Sequence, residues 1–299
     1  MMRIQVLGLI VCMTALGTLP FWTGAYGTVV ASLALVYLAM AQMWNLLAGY
    51  CRLISLGQQM FVGLGGYALA TLSVYYGLPL WLSILAGGLV SVTFALLLSC
   101  WLFRMSGAYF AVATWVVAEV LGLCFGNWSF VKYGMGMFIQ PAYSVSVNQI
   151  YYAALAVGVA SIALMFGLLR SEVGLGLLAI RDDEEAARSV GVHVFRCRLW
   201  CFLLAAFVTG IASGVLYLHL VFIQPYKAFS IDWTVKFLFI AIIGGIGTIE
   251  GPILGAVIFV GLQQLFSEWP TISMLLLGIF AVTTMLVAPD GIMGVLKKR

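Results

Sequence analysis

Charge is scarce in this sequence. Asp, Glu, Lys and Arg make up 8% of the 299 residues, 10 acids and 14 bases, and there are two histidines. With 64% hydrophobic residues and a mean hydropathy of +1.13, the chain has too few polar side chains to cover a water-soluble globule. The alternation of polar and apolar residues over about ten positions that marks a strand of a membrane barrel is missing as well. Several apolar runs instead reach or approach the roughly 20 residues needed to span a bilayer as a helix. The fold class expected is therefore an all-α polytopic membrane protein.

Other absences narrow the chemistry. The six cysteines (Cys12, Cys51, Cys100, Cys124, Cys197 and Cys201) form no C-x-x-C pair and mostly fall in apolar runs, which argues against a disulfide framework or a zinc site. No lysine directly follows a glycine, so the phosphate cradle G-x-x-x-x-G-K-[ST] is absent. The glycine clusters "GLGGY" and "GGIG" sit inside apolar runs and read as close helix packing or breaks in helices. Paired acids, Ser with Lys, or metal-spaced His and Asp do not occur at usable spacing. Four consecutive acids at 182–185 fan out around a helix axis and cannot all face one ion. Hence no catalytic residue, resident cofactor or metal site is expected, His193 and His219 read as structural, and nothing points to nucleic acid.

The apolar runs fall at approximately 4–19, 27–48, 54–76, 80–103, 109–125, 148–169, 199–222, 233–249, 252–267 and 271–288, about ten transmembrane or partly spanning helices. The run 109–125 and the pair interrupted by "GGIGTIEGP" are short for a full crossing. The first run resembles a signal peptide but lacks a clean small-x-small cleavage site before "LPFW", so it reads as the first span. An N-terminus in the cytoplasm and an even count put both chain ends inside. That topology sets Arg3, Arg52, Arg104, Arg170, Arg181, Arg188, Arg196, Arg198, Lys297, Lys298 and Arg299 inside, and Lys132, Lys227 and Lys236 outside. Such an excess of inner bases is what the positive-inside rule requires. Residues 1–299 form one transmembrane domain, with long polar connections at Arg170 to Arg198 inside and Asn127 to Asn148 outside.

The inner connection holds eight of the 24 charged residues within Ala179 to Arg198. Ala179 to Val190 has good helix formers and no Gly or Pro, and Gly191 is placed to end a helix in the left-handed region. Glu184 and Arg188 are spaced i,i+4 in the favourable order. About three turns are marginal alone in water. Ile180, Ala187 and Val190 fall on one side but are too few to anchor the helix in lipid, and the acids are repelled by anionic headgroups. Small residues between the acids permit close approach by another protein. Physics alone leaves this docking role level with a solvated connecting loop.

Polar groups within the apolar runs are candidates for a solute pathway, because ionisable groups are costly in lipid. They are Gln42, Asn45, Gln58, Gln59 and, above all, Glu119, with Thr114 and Trp115 nearby. An interhelical hydrogen bond is the plainer role for each.

The segment "GLGLLAIRDDEEAARSVGV" resembles the cytoplasmic coupling segment of the permeases of bacterial ABC importers for branched-chain amino acids, specifically the LivM-type subunit. The likeness runs over roughly residues 44–294 through "AGYCRLISLGQQMFVGLGGYALA", "MSGAYFAVATWVVAEV", "IIGGIGTIEGPILGA" and "APDGIMG". It implies a multi-pass permease of the bacterial inner membrane that pairs with a related permease subunit and receives solute from an extracytoplasmic binding protein. Two cytoplasmic ATPase subunits, carrying ATP and Mg2+, would drive alternating access through a coupling segment at about 171–198. The resemblance puts that coupling role on Arg181, Asp182, Asp183, Glu184, Ala187 and Gly191. The pathway candidates are Gln58, Gln59, Thr114 and Glu119. Two motifs depart from the family pattern: the external loop reads "KYGMGM" where a "TGG"-like signature is expected, and "PDG" replaces "PRG". A urea or short-amide permease fits the same motifs, and an ion-coupled secondary transporter anchored on Glu119 is the reading from outside the class.

Overall fold

The computed structural model describes residues 16–267, 270–288 and 291–297, and they are almost entirely helical. After a helical stretch at 16–22 come α1 (Ala25–Asn45), running on into a π-helical turn at Leu46–Tyr50, α2 (Gln59–Tyr75), α3 (Leu80–Leu102), α4 (Ala108–Asn127) and α5 (Val147–Leu169). Two short helices, α6 (Glu172–Asp182) and α7 (Glu184–Ser189), lead to the long α8 (Val194–Leu220). A single turn at Pro225–Ala228 precedes α9 (Asp232–Gly244), α10 (Glu250–Leu265), α11 (Pro270–Val287) and α12 (Gly291–Lys297). Two-residue strands β1 (Met137–Phe138) and β2 (Phe222–Ile223) pair antiparallel, Met137 with Ile223 and Phe138 with Phe222.

Five helices are long and apolar enough to cross a membrane: Ala25–Tyr50, Leu80–Leu102, Ala108–Asn127, Val147–Leu169 and Val194–Leu220. α4 is thus long enough for a full crossing, longer than its apolar core at 109–125 suggests, because Ala108, Gly126 and Asn127 extend the helix past the hydrophobic run. α2 is shorter than expected. Residues 54–58 fold back beneath α1, where Trp44 Nε1 donates to the Ser55 carbonyl at 2.9 Å and the Leu53 amide donates to Leu47 O at 2.9 Å. α9 and α10, of 13 and 16 residues, bear out the expectation of a short interrupted pair. Most of the expected first span at 4–19, together with Arg3, Pro289, Asp290, Lys298 and Arg299, lies outside the described residues.

Glycine sets how closely the central helices pack. A methyl group on Gly65 of α2 would lie 2.3 Å from the Gly210 carbonyl oxygen of α8, and one on Gly87 of α3 would lie 2.9 Å from the Gly65 oxygen. Three helices therefore meet backbone to backbone, as small residues allow in membranes. Around this crossing lies an aromatic core in which Phe202 meets Phe61 and Phe103, both at 5.5 Å between ring centroids.

The connections sort to two ends. At one, Phe103 packs on Phe195, Arg52 donates to the Asp182 carbonyl at 3.4 Å, and Gly247 lies against Gly49. At the other, Tyr75 Oη donates to Phe130 O at 3.0 Å, the β1–β2 pair forms, and Gln224 Nε2 donates to Gly134 O at 3.4 Å. Arg52, Arg181 and Arg198 belong to the first end, and Lys132 and Lys227 to loops of the second. Lys236 differs from a loop base: it lies one turn inside α9, its Nζ 4.3 Å from the Trp233 ring and 5.9 Å from the Tyr37 ring.

Candidate coupling site

The charged stretch is two helices, where a single helix over 179–190 was expected. Asp183 is extended (φ −152°, ψ 118°), and its Oδ1 accepts from the amides of Glu185 at 2.8 Å and Ala186 at 3.1 Å. A short side-chain acceptor competes well with the helix for free amides, so the residue that seemed one acid among four is the N-cap of a new helix. α7 then ends as predicted at Gly191, whose φ is +90°.

The apolar side of the element also differs. Ile180 and Ala187 are buried with Val194 in a small cluster of their own, whereas Val190 is 78% exposed. The change follows from the break at Asp183, which rotates α7 relative to α6. Ala187 is therefore a packing contact under the element. Asp182, Asp183, Glu185, Ala186, Arg188, Ser189, Val190 and Gly191 form its exposed face.

Glu184 is the junction. Arg188 Nη2 donates to its Oε1 at 2.7 Å, the predicted i,i+4 pair. Arg198, in the first turns of α8, donates from Nη1 to Oε1 at 3.1 Å and from Nη2 to Oε2 at 2.7 Å. Partial burial pulls the carboxyl upward, but the hydrogen bonds and charges of Arg198 and Arg188 outweigh it and hold Glu184 below its ordinary value. Arg198 Nε also donates to the Cys51 carbonyl at 3.3 Å. One guanidinium thus joins α7, α8 and the turn that ends α1.

That turn is unusual in its backbone. It follows the π-helical turn at Leu46–Tyr50, a conformation that recurs at functional sites, and Arg52 adopts φ +54°. Arg181 stands over the Tyr50 ring at 5.8 Å. Its pairing with Asp182, at 3.8 Å and with the acid 79% exposed, is of the kind that contributes little. The α9–α10 turn lies against the same place: Asn45 Nδ2 donates to Thr248 O at 2.8 Å, Asn45 Oδ1 accepts from the Gly247 amide at 2.7 Å, and Gln42 Nε2 donates to Ile249 O at 3.3 Å. Polar ties therefore run from α7 through Arg198 to Cys51 at the end of α1, and the same end of α1 is tied through Gln42 and Asn45 to the α9–α10 turn.

The pathway candidates separate. Gln58 is buried, its Nε2 donating to Thr209 Oγ1 at 3.0 Å. Gln59 is buried too; its amide donates to Thr234 Oγ1 at 3.3 Å, and Thr234 Oγ1 donates in turn to Gln59 Oε1. Thr114 is buried and accepts from the Leu56 amide at 3.2 Å. Each makes such a tie inside the subunit, while Gln58 Oε1 and Gln59 Nε2 are buried without a hydrogen-bond partner among the described residues. Glu119 lies within the apolar segment 109–125, is exposed on α4 and accepts from Trp115 Nε1 at 3.1 Å, because the small residues of α4 occupy its inner side. Among the described residues no group of three or more His, Cys, Asp or Glu is placed to hold a metal ion.

Arg198 and the Cys51 carbonyl went unseen in the sequence, since no local spacing connects them with Glu184. The available signal was a base at the foot of a long apolar helix just after an acid-rich segment.

The profile of the family described as "Branched-chain amino acid transport system / permease component" matches residues 26–288. The high-affinity branched-chain amino acid transport system permease protein LivM of Salmonella typhimurium is 28% identical over 306 residues, covering 92% of this chain and 71% of that protein; the protein of the same name from Escherichia coli gives the same figures. The L-arabinose ABC transporter permease protein AraH of Azospirillum brasilense is 26% identical over 198 residues, 62% of this chain and 55% of that protein. No solved structure matches.

Proposed function

Since the chain belongs to the branched-chain amino acid transport system permease family, we propose that it is one membrane subunit of an ABC importer of the bacterial inner membrane, carrying branched-chain or related hydrophobic amino acids. The end holding Arg52, Arg181 and Arg198 faces the cytoplasm, in keeping with the placement of bases near span ends, and both termini lie on that side. About ten helices contribute to the bundle. The exposed face of α6–α7 docks the ATPase subunits, which bring ATP and Mg2+, while a related permease subunit and an extracytoplasmic binding protein complete the assembly.

The observation that carries this reading is the hold of Arg198 on Glu184. A push on α7 is delivered through that guanidinium to α8 and to the turn at 49–52. The ties to the α9–α10 turn extend it to the short helix pair, whose interrupted backbone suits alternating access. The subunit makes and breaks no covalent bond. Its chemistry is to dock, to hold helices in register and to rock with them. Arg181, Asp182, Asp183 and Glu184 with Gly191 form the docking element, and Ala187 fastens it from beneath.

Solute is the finer point. The LivM relatives support leucine, isoleucine or valine, and the arabinose-permease relative supports including L-arabinose among the competitors tested, beside urea. The assay is ATP-driven uptake of labelled leucine into vesicles holding the whole complex, wild type against Glu184→Arg. Loss of both ATPase association and uptake is expected. Uptake that needs no ATP and survives the reversal defeats the proposal.

A further inference from the structure

α4 is divided along its length. Phe110, Ala111, Thr114, Ala118, Gly122 and Gly126 are buried and, at about 100° per residue, fall within one half of the helix circumference. On the other half Tyr109, Val112, Val116, Val120 and Leu123 are exposed, and so is Glu119, while Trp115, 39% exposed, stands at the border between the halves. Glu119 stands after eleven of the 20 residues of α4, about 16 Å from one end of the helix and about 12 Å from the other. That is close to the middle of a hydrocarbon layer about 30 Å thick. Trp115, four residues earlier, is its hydrogen-bond donor among the described residues.

A carboxyl group at that depth is not left against acyl chains; groups of this kind face a bundle interior or a water-lined cavity. α3 provides the contrast. Its exposed Leu82, Leu85, Leu89, Val90, Leu96 and Leu97 include no charge, which is the composition lipid selects. Both helices leave apolar side chains open, and of the two only α4 sets an acid among them.

We infer that the Tyr109 to Leu123 face of α4 packs against the second membrane subunit, with Glu119 in a polar seam between the two. The inference rests on the reading of the chain as one of a pair of permease subunits. The face holds one acid and no base, so the surface that fits it is apolar, with a Lys, Arg or amide donor at the depth of Glu119. Placed there, the Trp115–Glu119 pair gives the seam a fixed register.

The test uses the whole complex in membranes, with the exposed Cys100 and Cys124 replaced by alanine. A lipid-soluble maleimide is applied to Leu123→Cys and, as control, Leu89→Cys. Leu123→Cys is expected to label in the chain produced alone and to lose labelling in the complex, while Leu89→Cys labels in both. Glu119→Leu is expected to lose the second subunit on purification and Glu119→Gln to keep it. Full labelling of Leu123→Cys in an intact complex, or a complex undisturbed by Glu119→Leu, overturns the inference. Failure of the permease reading itself is separate, because ATPase subunits would then be missing from the wild-type preparation before any cysteine was labelled.

Discussion

The guanidinium of Arg198 closes on both oxygens of the Glu184 carboxylate, at 3.1 and 2.7 Å, across 14 positions of sequence. Fork-to-carboxylate geometry of this kind fixes direction as well as distance. With side-chain exposures of 14% for Arg198 and 29% for Glu184, the pair is shielded enough to outrank an ordinary surface bridge.

Replacing Glu184 by Gln leaves Arg198 partly buried without its anion, at a cost of about 1–3 kcal/mol. A double-mutant cycle with Arg198→Met is expected to return a coupling energy of about 0.5–3 kcal/mol. Thermal unfolding of the purified complex measures it. Additive single effects would mean that the two residues act independently.

Acid should loosen the same joint. The Glu184 carboxyl is held below its ordinary value in the folded protein, so its contribution is fully present above the unfolded value and is lost as pH falls through the folded one. ATPase association is expected to hold through neutral and mildly acid pH, then weaken below the ordinary carboxylate range. Glu184→Gln should remove that acid-dependent step. A step of equal size in the variant would assign it to another group.

Asp183→Ala removes the cap of α7. Loss of an N-cap costs about 1 kcal/mol, enough to fray a six-residue helix that is otherwise held by Ala187 and Arg198. Hydrogen exchange at the Glu185 and Ala186 amides is expected to quicken while α8 stays protected. Unchanged exchange at both amides sinks the capping argument.

Gly65→Ala pushes a methyl group to 2.3 Å from the Gly210 oxygen, where no rotamer can relieve the contact. Overpacking of this sort costs about 1–3 kcal/mol, and a lower melting temperature with reduced membrane yield is expected. Gly167→Ala, where the added carbon meets nothing within 4 Å, is the matched control. Equal behaviour of the two variants would show that α2 and α8 can part without loss.

Much of this architecture is legible in composition, because a membrane helix is fixed by length and hydrophobicity: α1, α3, α5 and α8 lie over their apolar runs. The Glu184–Arg188 pair and the left-handed Gly191 follow from local rules and are found in place. What escaped is non-local or competitive. Arg198 reaches Glu184 through a reversal of the chain, Asp183 resolves a contest between capping and continuing a helix, and Val190 turns outward as a result. Which side of α4 carries Glu119 was not legible, because a uniformly apolar helix has no sequence signal for which side faces inward; small residues decide it, and they carry little hydropathy.

The meeting of Gly65, Gly87 and Gly210 has a mechanical meaning. Contacts between side chains have play, since a rotamer can change before a backbone must follow. Here carbonyl meets α-carbon directly, and the joint behaves as a gear train without backlash. A displacement of α8 begun at Arg198 therefore passes to α2 and α3 with little taken up between them, and α9 and α10, where a methyl group on Gly255 would lie 2.0 Å from the Ile240 oxygen, are joined in the same way.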